Sequence, residues 1–225
     1  MKHFVKHNIA YILIYLGILC YVGMILLQNG KVQIHREMNT YVGNPLLDSF
    51  FNYVTHLGDG AFAFLVAIIF MFFNIRKSVY IVLSYLGAAL VSSILKHLVF
   101  PHIYRPHFVF QYFVREKLVE VDGVEVLGFN SFPSGHALSA FALFFCLLFV
   151  SRSHFLKILF FILALLAAYS RVYLSQHWLI DIYVGSIIGM CFSLLFYVVF
   201  YHTQKWQQLN TTIPLLLSQR KSKRV

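Results

Sequence analysis

Six apolar runs divide the chain: residues 9–27, 61–73, 79–100, 135–150, 158–174 and 179–201. Polar or basic residues separate them. A helix of about 20 apolar residues crosses about 30 Å of hydrocarbon, and the second run reaches that length when residues before it extend it. The pattern predicts six transmembrane helices. They form a single all-α membrane domain over residues 1–205, followed by a tail at 206–225. No small-x-small cleavage site follows the first run, and the run is long for the apolar core of a signal peptide, so it reads as an uncleaved span.

Two connecting stretches carry patterns of their own. After Pro45, Leu46, Leu47, Phe50, Phe51, Val54 and Leu57 recur at helical spacing. Asn44 is placed to cap that helix and Pro45 to open it, which predicts an amphipathic helix on the outer membrane surface. In the longest polar loop, 102–132, residues 119–126 alternate around Asp122-Gly123, the signature of a small β-hairpin with a type I′ turn.

Composition changes the picture in one direction. The chain is 60% hydrophobic and 12% charged, against about 25% charged in ordinary globular proteins, which excludes a soluble domain. The net charge of +10 suggests a nucleic-acid partner at first sight, but topology accounts for it. Six spans place both termini on one side with eleven of the 18 lysines and arginines, while the other side holds the remaining seven and all eight acidic residues. The excess of Lys and Arg puts both termini, and a basic tail, in the cytoplasm. Cys20, Cys146 and Cys191 each lie inside an apolar run, as small hydrophobes rather than disulfide or zinc partners.

Three polar clusters then fall on the outer side. Ser170 to Asp181 holds Arg171, His177 and Asp181. On a helix, His177 and Asp181 share a face one turn apart. The carboxylate can accept the Nδ1 proton and leave Nε2 as a lone-pair nucleophile. The same residues would also suit a capped helix start with an Arg–Asp pair, but an ionisable cluster at a membrane edge favours a site. The second cluster is Pro133-Ser134-Gly135-His136, at the start of the fourth span, where N–H groups of Ser134, Gly135 and His136 and the helix dipole favour an anion. The third is Lys96 with Arg105-Pro106. Lys96, Arg105 and Arg171 supply positive charge around two histidines: a phosphate cage with His177 as nucleophile and His136 as general acid. None of the clusters has metal-ligand spacing, and no metal or cofactor is expected. His35, His56, His97, His102 and His107 read as ordinary interfacial residues.

These stretches resemble the type 2 phosphatidic acid phosphatase superfamily, which shares a helical core with the vanadium haloperoxidases. Its motifs are Lys-x6-Arg-Pro, Pro-Ser-Gly-His and Ser-Arg-x5-His-x3-Asp. The second and third match fully. In the first, eight residues separate Lys96 from Arg105, and strict spacing would put the lysine where Leu98 stands. The resemblance spans residues 45–201. It implies metal-independent hydrolysis of a membrane lipid phosphate through a phosphohistidine. His177 is then the nucleophile, Asp181 its partner and His136 the acid, with Lys96, Arg105, Ser134, Gly135 and Arg171 binding phosphate. The implied substrate is an envelope lipid, lipid A or undecaprenyl diphosphate foremost, with phosphatidylglycerol phosphate and phosphatidic acid in the same class. The active site would face the periplasm from the inner membrane. Phosphate transfer to another lipid by the same residues is the alternative, and a non-catalytic lipid-binding or transport protein a further one. The hairpin is the candidate for head-group selectivity.

Overall fold

A computed structural model describes residues 2–215. Among them are nine α-helices: α1 (Lys2–Gln28), α2 (Lys31–Asn39), α3 (Pro45–Val54), α4 (Gly60–Phe73), α5 (Ile75–Ile94), α6 (Pro106–Val109), α7 (Gly135–Val150), α8 (His154–Tyr173) and α9 (Leu179–Tyr197). π-helical turns extend α5 over Leu95–Val99, α6 over Phe110–Val114 and α9 over Val198–His202, and a 3₁₀ turn, Thr55–Gly58, joins α3 to α4. Side-chain caps set several starts. Asn44 accepts from the N–H groups of Leu46 and Leu47 at 3.1 and 3.3 Å, as its place before Pro45 predicted. Asn74 accepts from Lys77 N–H at 3.1 Å to open α5. Each such cap contributes about 1 kcal/mol.

All six apolar runs are helical. Among the described residues, four helices are long and apolar enough to cross a membrane unaided: Phe4–Gln28, Ile75–Val99, His154–Tyr173 and Leu179–His202. The second run reaches span length only as the pair Pro45–Gly58 and Gly60–Phe73, bent by 59°. The fourth, α7, has 16 residues, about 24 Å at the helical rise. Length and composition therefore do not by themselves establish six spans. The short α7 is the central helix: every side chain from Ala137 to Phe149 is buried, so protein surrounds it where lipid would surround a longer span.

Small residues let α9 press against α7. A Cβ added at Gly185 would lie 2.6 Å from the Ser134 carbonyl oxygen, and one at Gly189 would lie 2.4 Å from that of Leu138. Close backbone approach through paired small residues is how helices associate where lipid offers no hydrophobic drive. The same approach brings the start of α9 against the start of α7, where Ser134 N–H donates to the Asp181 carbonyl at 3.0 Å.

Contacts fix the alternation of directions. At one end, Lys157 of α8 donates to Asn8 of α1 and to the Leu148 carbonyl of α7. At that end too, Arg76 of α5 donates to the Phe200 carbonyl. At the other end lie the starts of α4, α7 and α9 with the ends of α5 and α8.

Three features of the connecting segments depart from expectation. The alternating stretch 119–126 is not a hairpin; among the described residues there is no strand. Its turn is real, with Val124 N–H donating to the Val121 carbonyl at 3.3 Å. Only Gly123 has positive φ, +78°, whereas a type I′ turn needs it at both central residues. The arms are held by other segments: Asn39 brackets the Val119 backbone with two bonds of 2.8 and 2.9 Å, and Gln176 donates to the Glu125 carbonyl at 2.8 Å. The other two departures are α2 and α6, which form in stretches without an apolar period. Of the basic tail, residues 216–225 lie outside the described residues.

Candidate active site

The third motif folds as a tight turn between α8 and α9. The N–H groups of Gln176 and His177 both donate to the Arg171 carbonyl, at 2.9 and 3.0 Å, and Ser175 takes φ of +52°. The turn aims His177 back into the protein, where its side chain is 2% exposed and that of Asp181 1%. His177 Nδ1 lies 3.3 Å from Asp181 Oδ2. A carboxylate only accepts here, so Nδ1 carries the proton and Nε2 the lone pair. Burial, with the charges of Arg105, Arg171 and Lys96 nearby, pushes the His177 pKa well below the usual histidine range. The imidazole is therefore neutral and nucleophilic at ordinary pH.

Asp181 also does what the plainer reading of the sequence proposed. Its Oδ2 accepts from Trp178 N–H at 2.9 Å, closing the first turn of α9. Ser131 Oγ donates to the same oxygen, and Oδ1 is buried without a partner. The Arg–Asp pair of that reading does not form. Arg171 Nη1 donates instead to Thr55 Oγ1 at 2.8 Å, and its buried Nε has no partner.

Ser134 caps α7, its Oγ accepting from Ala137 N–H at 3.4 Å. Its own N–H is taken by Asp181, so the outward N–H groups expected here reduce to those of Gly135 and His136. A Cβ added at Gly135 would meet nothing within 4 Å, so the backbone there faces open space. Gly135, His136 and Lys96 line one cavity of about 320 Å³, walled by Tyr85, Ala89 and Ser92 of α5 and by Gly58 and Gly60. Lys96 sits in the π-helical turn Leu95–Val99 and lines this cavity despite the longer first motif. Arg105 is anchored through Nε to the Phe129 carbonyl at 2.8 Å and through Nη1 to Gln176 at 2.9 and 3.1 Å.

All eight residues singled out in the sequence thus converge at one end of the bundle. Others join them unannounced. Asp59 Oδ1 lies 2.7 Å from His136 Nε2, and its Oδ2 lies 3.0 Å from His56 Nδ1. Thr55, Ser131 and Gln176 hold Arg171, Asp181 and Arg105. His35, expected at the interface, is buried and bonded to Ser175 Oγ at 3.1 Å; burial lowers its pKa to about 4. Among the described residues, no group of three His, Cys, Asp or Glu side chains is arranged to hold a metal ion.

A family model described as the PAP2 superfamily matches residues 77–205. The lipid A 4'-phosphatase of Bacteroides thetaiotaomicron is 34% identical over 83 residues, 37% of this chain and 37% of that protein. The chain therefore spans little more than a third of that curated relative. Among solved structures, LpxE of Aquifex aeolicus superposes with a TM-score of 0.63 at 26% identity, over 73% of this chain and 92% of that one. A transmembrane PAP2 type phosphatidylglycerolphosphate phosphatase from Bacillus subtilis gives 0.63 at 21% identity, over 89% of this chain and 98% of that one.

Proposed function

We propose, since the chain belongs to the PAP2 superfamily, that it is a membrane lipid phosphatase removing a phosphate monoester from lipid A or a closely related envelope lipid. The observation that carries the reading is the buried His177–Asp181 pair under three cations, beside a cavity that opens along α5. The cations and the N–H groups of Gly135 and His136 match the equatorial oxygens of a transferring phosphoryl group. Exposed apolar side chains near the site, Leu46 and Tyr53 on α3 and Phe64 and Leu65 on α4, offer the acyl chains a lipid-side approach. The lipid A 4'-phosphatase relative supports the substrate class.

The reaction balances in two steps. His177 Nε2 attacks phosphorus, the bond from phosphorus to the lipid oxygen breaks, and His136 gives that oxygen its proton. Water then attacks the phosphohistidine, passing a proton back to His136, and the P–N bond breaks to release inorganic phosphate. Asp181 stabilises the charge that His177 acquires between the steps. We place both termini in the cytoplasm and the site at the outer face of the inner membrane, on the sidedness of the basic residues.

The test is phosphate release by detergent-purified protein from lipid A, phosphatidylglycerol phosphate, phosphatidic acid and undecaprenyl diphosphate. The expected result is turnover of lipid A that persists in EDTA and is lost in His177→Ala. Silence on every lipid, or activity abolished by EDTA, overturns the reading.

A further inference from the structure

The matched family region begins at residue 77, yet one carboxylate from before it enters the site. Asp59 stands at the N-cap position of α4, where an aspartate ordinarily accepts a bond from the first-turn N–H groups. Its side chain makes no such bond. It is turned the other way, with Oδ1 2.7 Å from His136 Nε2 and Oδ2 held at 3.0 Å by His56 Nδ1. The approach is close: a Cβ added at the preceding Gly58 would lie 3.0 Å from the His136 carbonyl oxygen. An available local cap is therefore given up for a contact across 77 residues of sequence.

We propose that Asp59 is the positioning carboxylate of the general acid, holding His136 through Nε2 so that a protonated Nδ1 faces the leaving lipid oxygen. The proposal rests on the phosphatase reading above. It makes the site a pair of His–carboxylate dyads that use opposite ring nitrogens. Asp181 takes Nδ1 of His177 and leaves Nε2 to attack; Asp59 takes Nε2 of His136 and leaves Nδ1 to donate. The two imidazoles need opposite protonation states in the first step, and their surroundings differ to suit. His177 sits beneath Lys96, Arg105 and Arg171 with a carboxylate already shared with Ser131 and Trp178. His136 is half-buried and faces the same arginines, Lys96 and His97 on α5, and His177, all of which oppose its protonation; Asp59 and the phosphoryl oxygens of an arriving substrate are the charges that favour it. Asp59, with His56 behind it, is the protein's share of that charge. When water attacks in the second step, the same carboxylate stabilises the imidazolium that forms as His136 takes the proton.

A leaving group that needs no proton separates this role from a structural one. The experiment uses rapid-quench kinetics on full-length protein in detergent, with p-nitrophenyl phosphate and dodecyl phosphate as substrates. General acids contribute about 10²–10⁴-fold. Asp59→Asn is expected to slow the first phosphoryl transfer from dodecyl phosphate by about 10–100-fold, and the p-nitrophenolate burst by less than about threefold. The alkaline limb of kcat/KM for dodecyl phosphate should move to lower pH. Gly58→Ala, which keeps both groups but moves the turn, should reproduce the same selectivity at smaller amplitude if Asp59→Asn folds poorly. Equal loss on the two esters, or no loss on either with the alkaline limb unmoved, overturns the role of Asp59. A wild type inert on both esters overturns the phosphatase reading itself, a result distinct from an active wild type indifferent to Asp59→Asn.

Discussion

The two ends of the helical bundle both take cations out of water, and they treat them differently. At the end away from the site, Lys157 is fully buried. Its ammonium donates to Asn8 Oδ1 at 2.5 Å and to the Leu148 carbonyl at 2.7 Å. Arg76 is likewise buried and spends its guanidinium on the Phe200 carbonyl, at 3.1 Å from Nε. These cations bond to neutral oxygens of the protein, none of their nitrogens is buried without a partner, and they tie helix ends together. At the site end, polar capacity is held back: Arg171 Nε and Asp181 Oδ1 are both buried and unpartnered. Proteins rarely tolerate such atoms. On the proposed function, a substrate that arrives with phosphoryl oxygens would give the arginine its missing acceptor. A buried cation none of whose buried nitrogens lacks a partner then acts as a staple, and Arg171 is the one proposed to wait for a ligand.

That contrast can be broken by experiment. Arg171→Ala removes one protein bond, to Thr55, and the phosphate donor proposed on α8. It should cut kcat/KM by about 10²–10³-fold, with a melting temperature close to wild type. A large stability loss with modest kinetic change would make Arg171 a staple too. Gly135→Ala sharpens the same point, because the new methyl meets no protein atom but enters the space assigned to the phosphate. KM should rise on the order of tenfold, about 1.4 kcal/mol, without loss of stability. An unchanged KM would mean that the space is not used.

Lys157→Met is the mirror experiment. It leaves Asn8 Oδ1 without its lysine donor and the Leu148 carbonyl with only the Ser151 N–H, at 3.3 Å, a loss of about 1–3 kcal/mol in denaturant unfolding. Turnover per folded molecule should stay within about twofold of wild type, the range expected for a change of stability without a change of site. Near neutral pH the smallest effect concerns His35. Its folded-state pKa is depressed to about 4 by burial, against about 6.5 unfolded. Above pH 6.5 both states are neutral there and nothing is lost. As pH falls from 6.5 toward 4, the unfolded chain gains the proton first, and stability drops. His35→Gln, which can keep a bond to Ser175, should flatten that part of the melting-temperature profile. An identical slope in the variant would refute this share of the pH dependence.

The same division explains what could be read along the chain. His136, His177, Asp181 and Arg171 were legible because each interrupts or borders an apolar run, where a membrane penalises polar groups most. The helices around them were legible from apolar length and from caps such as Asn44. Asp59 was not, because its value depends on a partner 77 residues away and along the chain it is only one of the acidic residues of the outer side. Ser131, Thr55 and Gln176 act through contacts that no periodicity announces. His35 sits in α2, whose polar sequence hides that one face is buried under Trp178 and Phe110. The hairpin failed for a related reason: alternation around Asp122-Gly123 specifies a turn, but Asn39 and Gln176 capture the backbone groups that a ladder would have used.

The central claim is that His177 is the phosphorylated nucleophile. The most direct test is rapid quench of the protein with a substrate carrying a radiolabelled phosphate, followed by acid and alkali treatment of the denatured protein. The account predicts a label that is acid-labile, alkali-stable, mapped to His177 and absent from His177→Ala. Turnover without such a label, or a label that survives in His177→Ala, would contradict it.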